Sequence, residues 1–156
     1  MTMLTKLKYA GVPKEDLITI YILYIRSLLE NCSVVWHSTL TDEQCNNLES
    51  VQRLCIKIIL GEGYDGYDTA LENCGLKALK VRREGKCLQY GMKSLLHPVH
   101  CAKYPVNPHV RDNTLGPRNS EHFKVNWAKR DSYQMSAIPY IQRMLNQYVA
   151  NQKKKK

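Results

Sequence analysis

The sequence has no long apolar run and no closely spaced pair of cysteines. Its most apolar stretch, Leu17 to Ile25, is interrupted by Thr19 and is far shorter than the roughly 20 residues that a membrane-spanning helix needs. The six cysteines are scattered, and residues 1–12 lack the charged start and apolar core of a signal peptide. We therefore expect an intracellular protein, cytoplasmic or nuclear, with free thiols and no membrane partner.

The fractions of hydrophobic and charged residues are not extreme either. The chain has 156 residues, of which 44% are hydrophobic and 24% are charged, as is ordinary for a globular protein that can bury a core. The formal net charge is +9. Four of the positive charges belong to the terminal tail Lys153–Lys156, so the rest of the chain carries only a mild excess.

The apolar spacing predicts a mainly α fold, an amphipathic helical bundle with a small extended or β segment near residues 110–127. Helices are expected over about 1–10, 14–32, 42–60, 69–73, 77–97 and 139–151, with a short extended or turn segment at 33–36. His122 to Trp127 alternates as a strand does, and Val110 to Leu115 is its candidate partner. The predicted division is a helical region 1–97, a proline-containing extended segment with a C-terminal helix at 98–150, and a basic tail at 151–156.

The helix over 14–32 is apolar on nearly every side. Leu17, Tyr21, Tyr24 and Leu28 form one stripe, but apolar residues also lie off it. Such a helix is expected to be covered on more than one side. Residues 17–28 are therefore the expected contact for a missing domain or for a second copy of the chain.

The strongest basic segment follows residue 77. Four cations fall within seven positions, and an apolar face made of Val81, Leu88, Met92 and Leu95 predicts that the segment is an amphipathic helix with a cationic outer stripe. Arginine forks can hold phosphates, and a solvated helix face is the plainer alternative. The candidate nucleic-acid contacts are Lys80, Arg82, Arg83, Lys86 and Lys93, with Arg53 and Lys57 on the preceding helix.

Other patterns are weaker. Tyr64 to Asp68 has its two aspartates three positions apart, whereas a polymerase metal site needs adjacent carboxylates, so Asp68 is predicted to be a helix cap. His97, His100 and Cys101, with Cys87, lack the spacing of a zinc knuckle. We expect no catalytic residue, no metal and no cofactor.

Several blocks of the sequence together carry a family resemblance. These are Arg26–Glu30 with Cys32–His37, Leu48–Arg53 with Lys57–Gly61, Tyr67–Leu71 with Gly75–Arg83, and Ser136–Asn146. In this order they resemble the region just after the polymerase core of non-LTR (LINE-type, jockey-like) retrotransposon reverse transcriptases. Asn31 departs from the pattern, because the family usually has an aromatic residue there.

The resemblance implies a thumb-like helical region that grips the template–primer backbone. It places the palm, with the catalytic aspartates, upstream of Met1, so no enzymatic activity is expected of this chain. The expected function is that of a fragment of an RNA-directed DNA polymerase that makes weak, sequence-independent contacts with an RNA–DNA or RNA duplex. The alternatives are a helical interaction module or remnant that dimerises through residues 17–28 and, more distantly, a cysteine-dependent hydrolase.

Overall fold

The computed structural model describes residues 2–105, 122–125 and 129–153. Within those residues the chain is mainly α-helical, which confirms the predicted fold class. The helices are α1 (Thr2–Tyr9), α2 (Lys14–Ile20), α3 (Ser27–Leu29), α4 (Ser33–Trp36), α5 (Asp42–Leu60), α6 (Tyr67–Asn73), α7 (Leu79–Leu96), α8 (Asp131–Gln134) and α9 (Ala137–Lys153). A π-helical segment, Tyr21–Arg26, joins α2 to α3, and short 3₁₀ turns cover His37–Thr39, Gly61–Gly63 and Cys101–Lys103.

The predicted strand is only partly within the described residues. Residues 122–125 contain no continuous strand, although the Lys124 N–H donates to the Pro105 carbonyl at 2.9 Å. The candidate partner strand, 110–115, and the lysines at 154–156 lie outside the described residues.

The chain forms two compact units, and each unit uses two separate stretches of sequence. Unit 1 comprises Met1–Cys32 and Leu40–Arg83, and unit 2 comprises Ser33–Thr39 and Glu84–Lys156. The boundary between them thus falls inside α7. The division at residue 97 that the sequence suggests stays a prediction.

The core of unit 1 is built by the first helices together with α5 and α6. Its buried residues are Leu4, Leu17, Tyr21, Cys55, Ile56, Ile59, Ala70, Leu71, Cys74 and Leu76. Five of these ten residues lie on the helices predicted over 14–32 and 42–60: Leu17, Tyr21, Cys55, Ile56 and Ile59.

The apolar stripe on the helix over 14–32 is only half buried within this chain. Leu17 and Tyr21 are buried, but Tyr24 is 62% and Leu28 is 77% exposed. The cause is the π-helical segment Tyr21–Arg26, whose i→i+5 hydrogen bonds each span one more residue than those of an α-helix and so change the angle between successive side chains. Residues spaced for a regular helix therefore leave the common face after Tyr21.

Both ends of α5 are fixed by local chemistry. Thr41 and Gln44 have the spacing of a capping box and form one: the Gln44 N–H donates to Thr41 Oγ1 and the Thr41 N–H donates to Gln44 Oε1. At the other end, Gly61 has a φ of +60°, which glycine adopts at little cost. The ammonium of Lys8 donates to the carbonyl of Ile58 at 2.6 Å and occupies the place of a Cβ at Gly61. Gly61 thus ends the helix and leaves room for Lys8.

Unit 2 packs around α9. Its buried apolar residues are Cys87, Tyr104, Phe123, Ile141 and Leu145. Asn146 holds the short segment 122–125, because its amide accepts from the Phe123 N–H at 2.7 Å and donates to the Phe123 carbonyl at 2.9 Å. Residues 33–36, predicted to be a short extended or turn segment, form the single helical turn α4. His37, which follows α4, bonds the Tyr140 hydroxyl at 3.2 Å.

The buried face of α7 differs from the predicted one. Val81 and Met92 are exposed, and the buried positions are Leu79, Arg83, Cys87, Gly91 and Ser94. Apart from Leu79, these are small side chains and one arginine. The spacing of hydrophobic residues does not predict such a face. Small residues are buried there because they allow other parts of the chain to pack closely against the helix.

This close approach gives a prediction for a matched pair of glycines in α7. A Cβ at Gly91 would lie 2.6 Å from Ile141 Cγ2, whereas a Cβ at Gly85 meets nothing within 4 Å. Gly91→Ala should lower the free energy of unfolding by about 1–2 kcal/mol, since overpacking outweighs the gain in helix propensity. Gly85→Ala should raise it by about 0.5–1 kcal/mol. Urea titrations followed by circular dichroism measure both, and equal shifts for the two variants would contradict the packing argument.

No single helix in the described part of the chain is long and apolar enough to cross a membrane. The bent pair 14–29 and 33–39 reaches that length and composition only when its two parts are taken together.

Candidate nucleic-acid interface

A carboxylate from α5 accepts a hydrogen bond from the first residue of the basic helix α7. Glu49 Oε1 accepts the Leu79 backbone N–H at 3.1 Å, and a negative charge is favourable at a helix N-terminus. The Tyr67 hydroxyl donates to the same oxygen. Burial, and next the hydrogen bond to Glu49, raise the pKa of Tyr67, so at neutral pH the phenol remains the donor.

Gln52 extends this contact into the core of unit 1. Its Nε2 donates to the Tyr67 hydroxyl at 2.8 Å and to the Lys77 carbonyl at 3.1 Å. Its Oε1 accepts from the buried Tyr21 hydroxyl at 2.5 Å, and burial raises the pKa of Tyr21. Hydrogen bonds from one α5 side chain thus fix the segment just before α7.

Arg82, predicted to hold a phosphate, holds a carboxylate in this structure. Its Nε lies 2.6 Å from Glu30 Oε1 and its Nη2 lies 3.2 Å from Glu30 Oε2. The Glu30 side chain is 3% exposed and that of Arg82 is 29% exposed. The hydrogen bond to Glu30 raises the pKa of Arg82. A bidentate pair of this kind uses two of the donors that a phosphate would take.

Arg83 lies inside the protein. It is 0% exposed, so it presents no surface to a duplex in this structure. The predicted contact between Arg83 and a duplex would therefore require a change in its packing.

The remaining predicted cations differ in exposure. On α7, Lys80 and Lys93 are exposed and Lys86 is half-buried. On α5, Arg53 and Lys57 are exposed one turn apart. The Arg53 guanidinium lies 5.0 Å from the centre of the Tyr67 ring, a cation–π contact that leaves the charge at the surface.

The other sequence patterns carry no assembled site within the described residues. Gly66, with a φ of +132°, precedes α6 and Asp68 lies in its first turn, so the prediction that Asp68 caps this helix is wrong. The rings of His97 and His100 lie 4.4 Å apart, and the Cys101 thiol donates to the Pro98 carbonyl. No three His, Cys, Asp or Glu side chains of the described residues are arranged to hold a metal ion.

Cys55, in the core of unit 1, is fully buried. Burial raises the pKa of the Cys55 thiol to about 11. At neutral pH this thiol is therefore protonated, and a protonated thiol is a poor nucleophile.

Sequence reasoning missed the residues that position the basic helix. Glu49 and Arg53 have the spacing of a surface pair, and Glu30 lies 52 positions before its partner. The Thr41–Gln44 box could be found because its spacing is local, whereas nothing local marks Glu30, Glu49 or Gln52 as partners of α7.

Comparison with protein-family models, curated proteins and solved structures finds no match for this chain.

Proposed function

We propose that this chain is the thumb-like region of a polymerase of the non-LTR retrotransposon reverse-transcriptase type. In that role it contacts the sugar–phosphate backbone of an RNA–DNA or RNA template–primer duplex. The catalytic aspartates would belong to a palm that precedes this region. The resemblance of the sequence blocks is the basis for the family.

The observation that carries the proposal is the exposure of cations on a long, well-positioned helix. Lys80 is exposed on the part of α7 that belongs to unit 1, and Lys93 is exposed on the part that belongs to unit 2. Exposed lysine ammonium groups on a helix can contact the phosphates of a polyanion. Exposed Arg53 and Lys57 add positive charge on α5.

The test is a salt titration of binding to a fluorescein-labelled RNA–DNA hybrid of random sequence. For each phosphate contact, the log–log slope of affinity against salt is expected to be near −0.9. Lys80→Ala and Lys93→Ala should each flatten the slope by about one unit without changing any sequence preference. Lys6→Ala removes an equal charge from exposed α1 and should leave the slope unchanged.

The titration has three possible outcomes, of which one supports the proposal and two contradict it. Flattening confined to the α7 variants supports the proposal. If Lys6→Ala flattens the salt slope equally, the binding is a non-specific effect of net charge and the proposal is contradicted. If no binding to the hybrid is measured, the proposed function is contradicted.

A second candidate function rests on the exposed apolar residues Leu23, Tyr24 and Leu28, between 61% and 77% exposed. Large exposed apolar side chains close together on a surface indicate a contact with another protein. If the duplex does not bind and sedimentation gives the mass of a dimer, self-association through residues 17–28 is favoured instead.

A further inference from the structure

Unit 2 contains a cavity of about 240 Å³ with a mainly apolar wall. Helix α4 lines it with Val34 and Val35, and the first turns of α9 line it with Ala137, Ile138 and Ile141. Val35 is 69% exposed, so the apolar wall reaches the surface. Sites for drug-sized ligands have volumes of about 300–1,000 Å³. The cavity therefore suits a smaller molecule with an apolar body.

The polar groups at this cavity are few, and the charge among them is positive. Lys103 is the one charged residue among the described residues that line it, and Tyr90 and Tyr104 are the others with a polar atom in the side chain. Tyr104 is buried and forms a side-chain hydrogen bond with Ser94. Lys103 is exposed, and its flexible four-carbon stem lets the ammonium reach a ligand. The polar end of a ligand therefore meets a cation here.

Helix α9 positions Lys103 and adds to the positive potential. The amide of fully buried Gln142 donates from Nε2 to the Lys103 carbonyl at 2.8 Å, so α9 holds the lysine backbone. The first turn of α9 has no acidic residue. Its own side chains therefore leave the partial positive charge of the helix N-terminus in place. The cavity combines an apolar body with one cationic end.

We propose that this cavity binds a small monocarboxylic acid whose body is a single aromatic ring or a short branched chain. The carboxylate lies at Lys103, and the body packs against Val34, Ile138 and Ile141. One carboxylate matches the charge of one lysine. A phosphate monoester carries about −1.5 to −2 charges and would leave negative charge uncompensated in an apolar cavity, which is costly. The site needs no nucleic acid and goes beyond the proposed function.

The test is a titration of the full, isotope-labelled chain with phenylacetate, followed by the NMR signals of the backbone amides. Saturable shifts are expected at α4, Lys103 and the first turns of α9, with a Kd on the order of 1 mM for so small a ligand. Phenylacetamide has the same shape without the charge and should bind roughly tenfold more weakly. No saturation up to about 10 mM, or equal affinity for acid and amide, would overturn the inference. Tighter binding of benzylphosphonate than of phenylacetate would also overturn it, because a phosphate-type anion would then be preferred.

A substitution at Lys103 tests the charge. Lys103→Met keeps the length of the stem and should weaken phenylacetate binding roughly tenfold while leaving phenylacetamide binding unchanged. Lys124→Met removes an equal charge from an exposed position of unit 2 that does not line the cavity, and it should leave both Kd values unchanged. An unchanged Kd of phenylacetate for Lys103→Met contradicts the assignment.

A matched pair of substitutions in α9 tests the cavity itself. Ala137→Leu fills the space and should abolish the binding of both probes. Ala150→Leu makes the same change at an exposed position of this helix and should leave binding intact, and the two changes have similar effects on helix propensity. Circular dichroism and the amide spectrum show whether each variant is folded. A folded Ala137→Leu variant that still binds phenylacetate would place the ligand elsewhere and overturn the proposal.

Discussion

Replacing Arg82 by alanine is expected to lower the free energy of unfolding by about 3–5 kcal/mol. The substitution leaves Glu30, whose side chain is 3% exposed, without the guanidinium that neutralises it. Removing one member of a buried, bidentate ion pair costs far more than the loss of a surface ion pair. Urea denaturation followed by circular dichroism measures the change.

The matched control is Lys80→Ala, on the same helix but exposed. It should change the unfolding free energy by no more than about 0.5 kcal/mol. Adding Glu30→Gln to Arg82→Ala should recover part of the loss, since no buried charge then remains. Similar urea midpoints for Arg82→Ala and Lys80→Ala would show that the pair contributes little. The result also bears on binding studies, because a variant that removes Arg82 and buried Arg83 together would lose stability whether or not these residues contact a duplex.

Gln52→Leu is expected to lower the free energy of unfolding by roughly 2–4 kcal/mol. The side chain is fully buried, and its loss leaves the buried Tyr21 hydroxyl without its acceptor at 2.5 Å. The Lys77 carbonyl, just before α7, loses its donor at the same time. Both the Tm and the midpoint of urea unfolding should fall, and these two measurements check the prediction.

A second substitution tests whether the hydrogen bond is the cause. Tyr21→Phe in the Gln52→Leu background removes the stranded hydroxyl and should restore part of the stability, because deleting both partners is less costly than deleting one. Gln147→Leu, at an exposed position of α9, should be nearly neutral. Additive losses for Tyr21→Phe and Gln52→Leu would contradict the coupling.

Features with a short-range cause could be predicted from the sequence. The start of α5 follows from Thr41 and Gln44, three positions apart, and its end follows from a glycine that adopts a positive φ. Helix α9, expected over 139–151, spans Ala137–Lys153. In each case, the residues that form the feature are close neighbours in the chain.

Features set by distant packing could not be predicted. The π-helical segment Tyr21–Arg26 carries no sequence mark, yet it removes Tyr24 and Leu28 from the buried face. The buried face of α7 is defined by Gly91 and by an arginine, which a hydropathy pattern assigns to the outside. The cationic stripe was therefore predicted from charge alone, while the burial of Arg83 depends on tertiary packing.

The carboxylate that Glu49 offers to Leu79 has a consequence for the order of folding. The start and the end of helix α5 are set by residues close to it in sequence. This helix can therefore begin to form before any distant contact is made. The first N–H of α7 finds its acceptor 30 residues earlier in the chain, so this end of the helix gains its contact only after the intervening loop has closed, at an entropic cost. The beginning of the basic helix therefore belongs to the late, cooperative part of folding, and substitutions there should speed unfolding more than they slow folding.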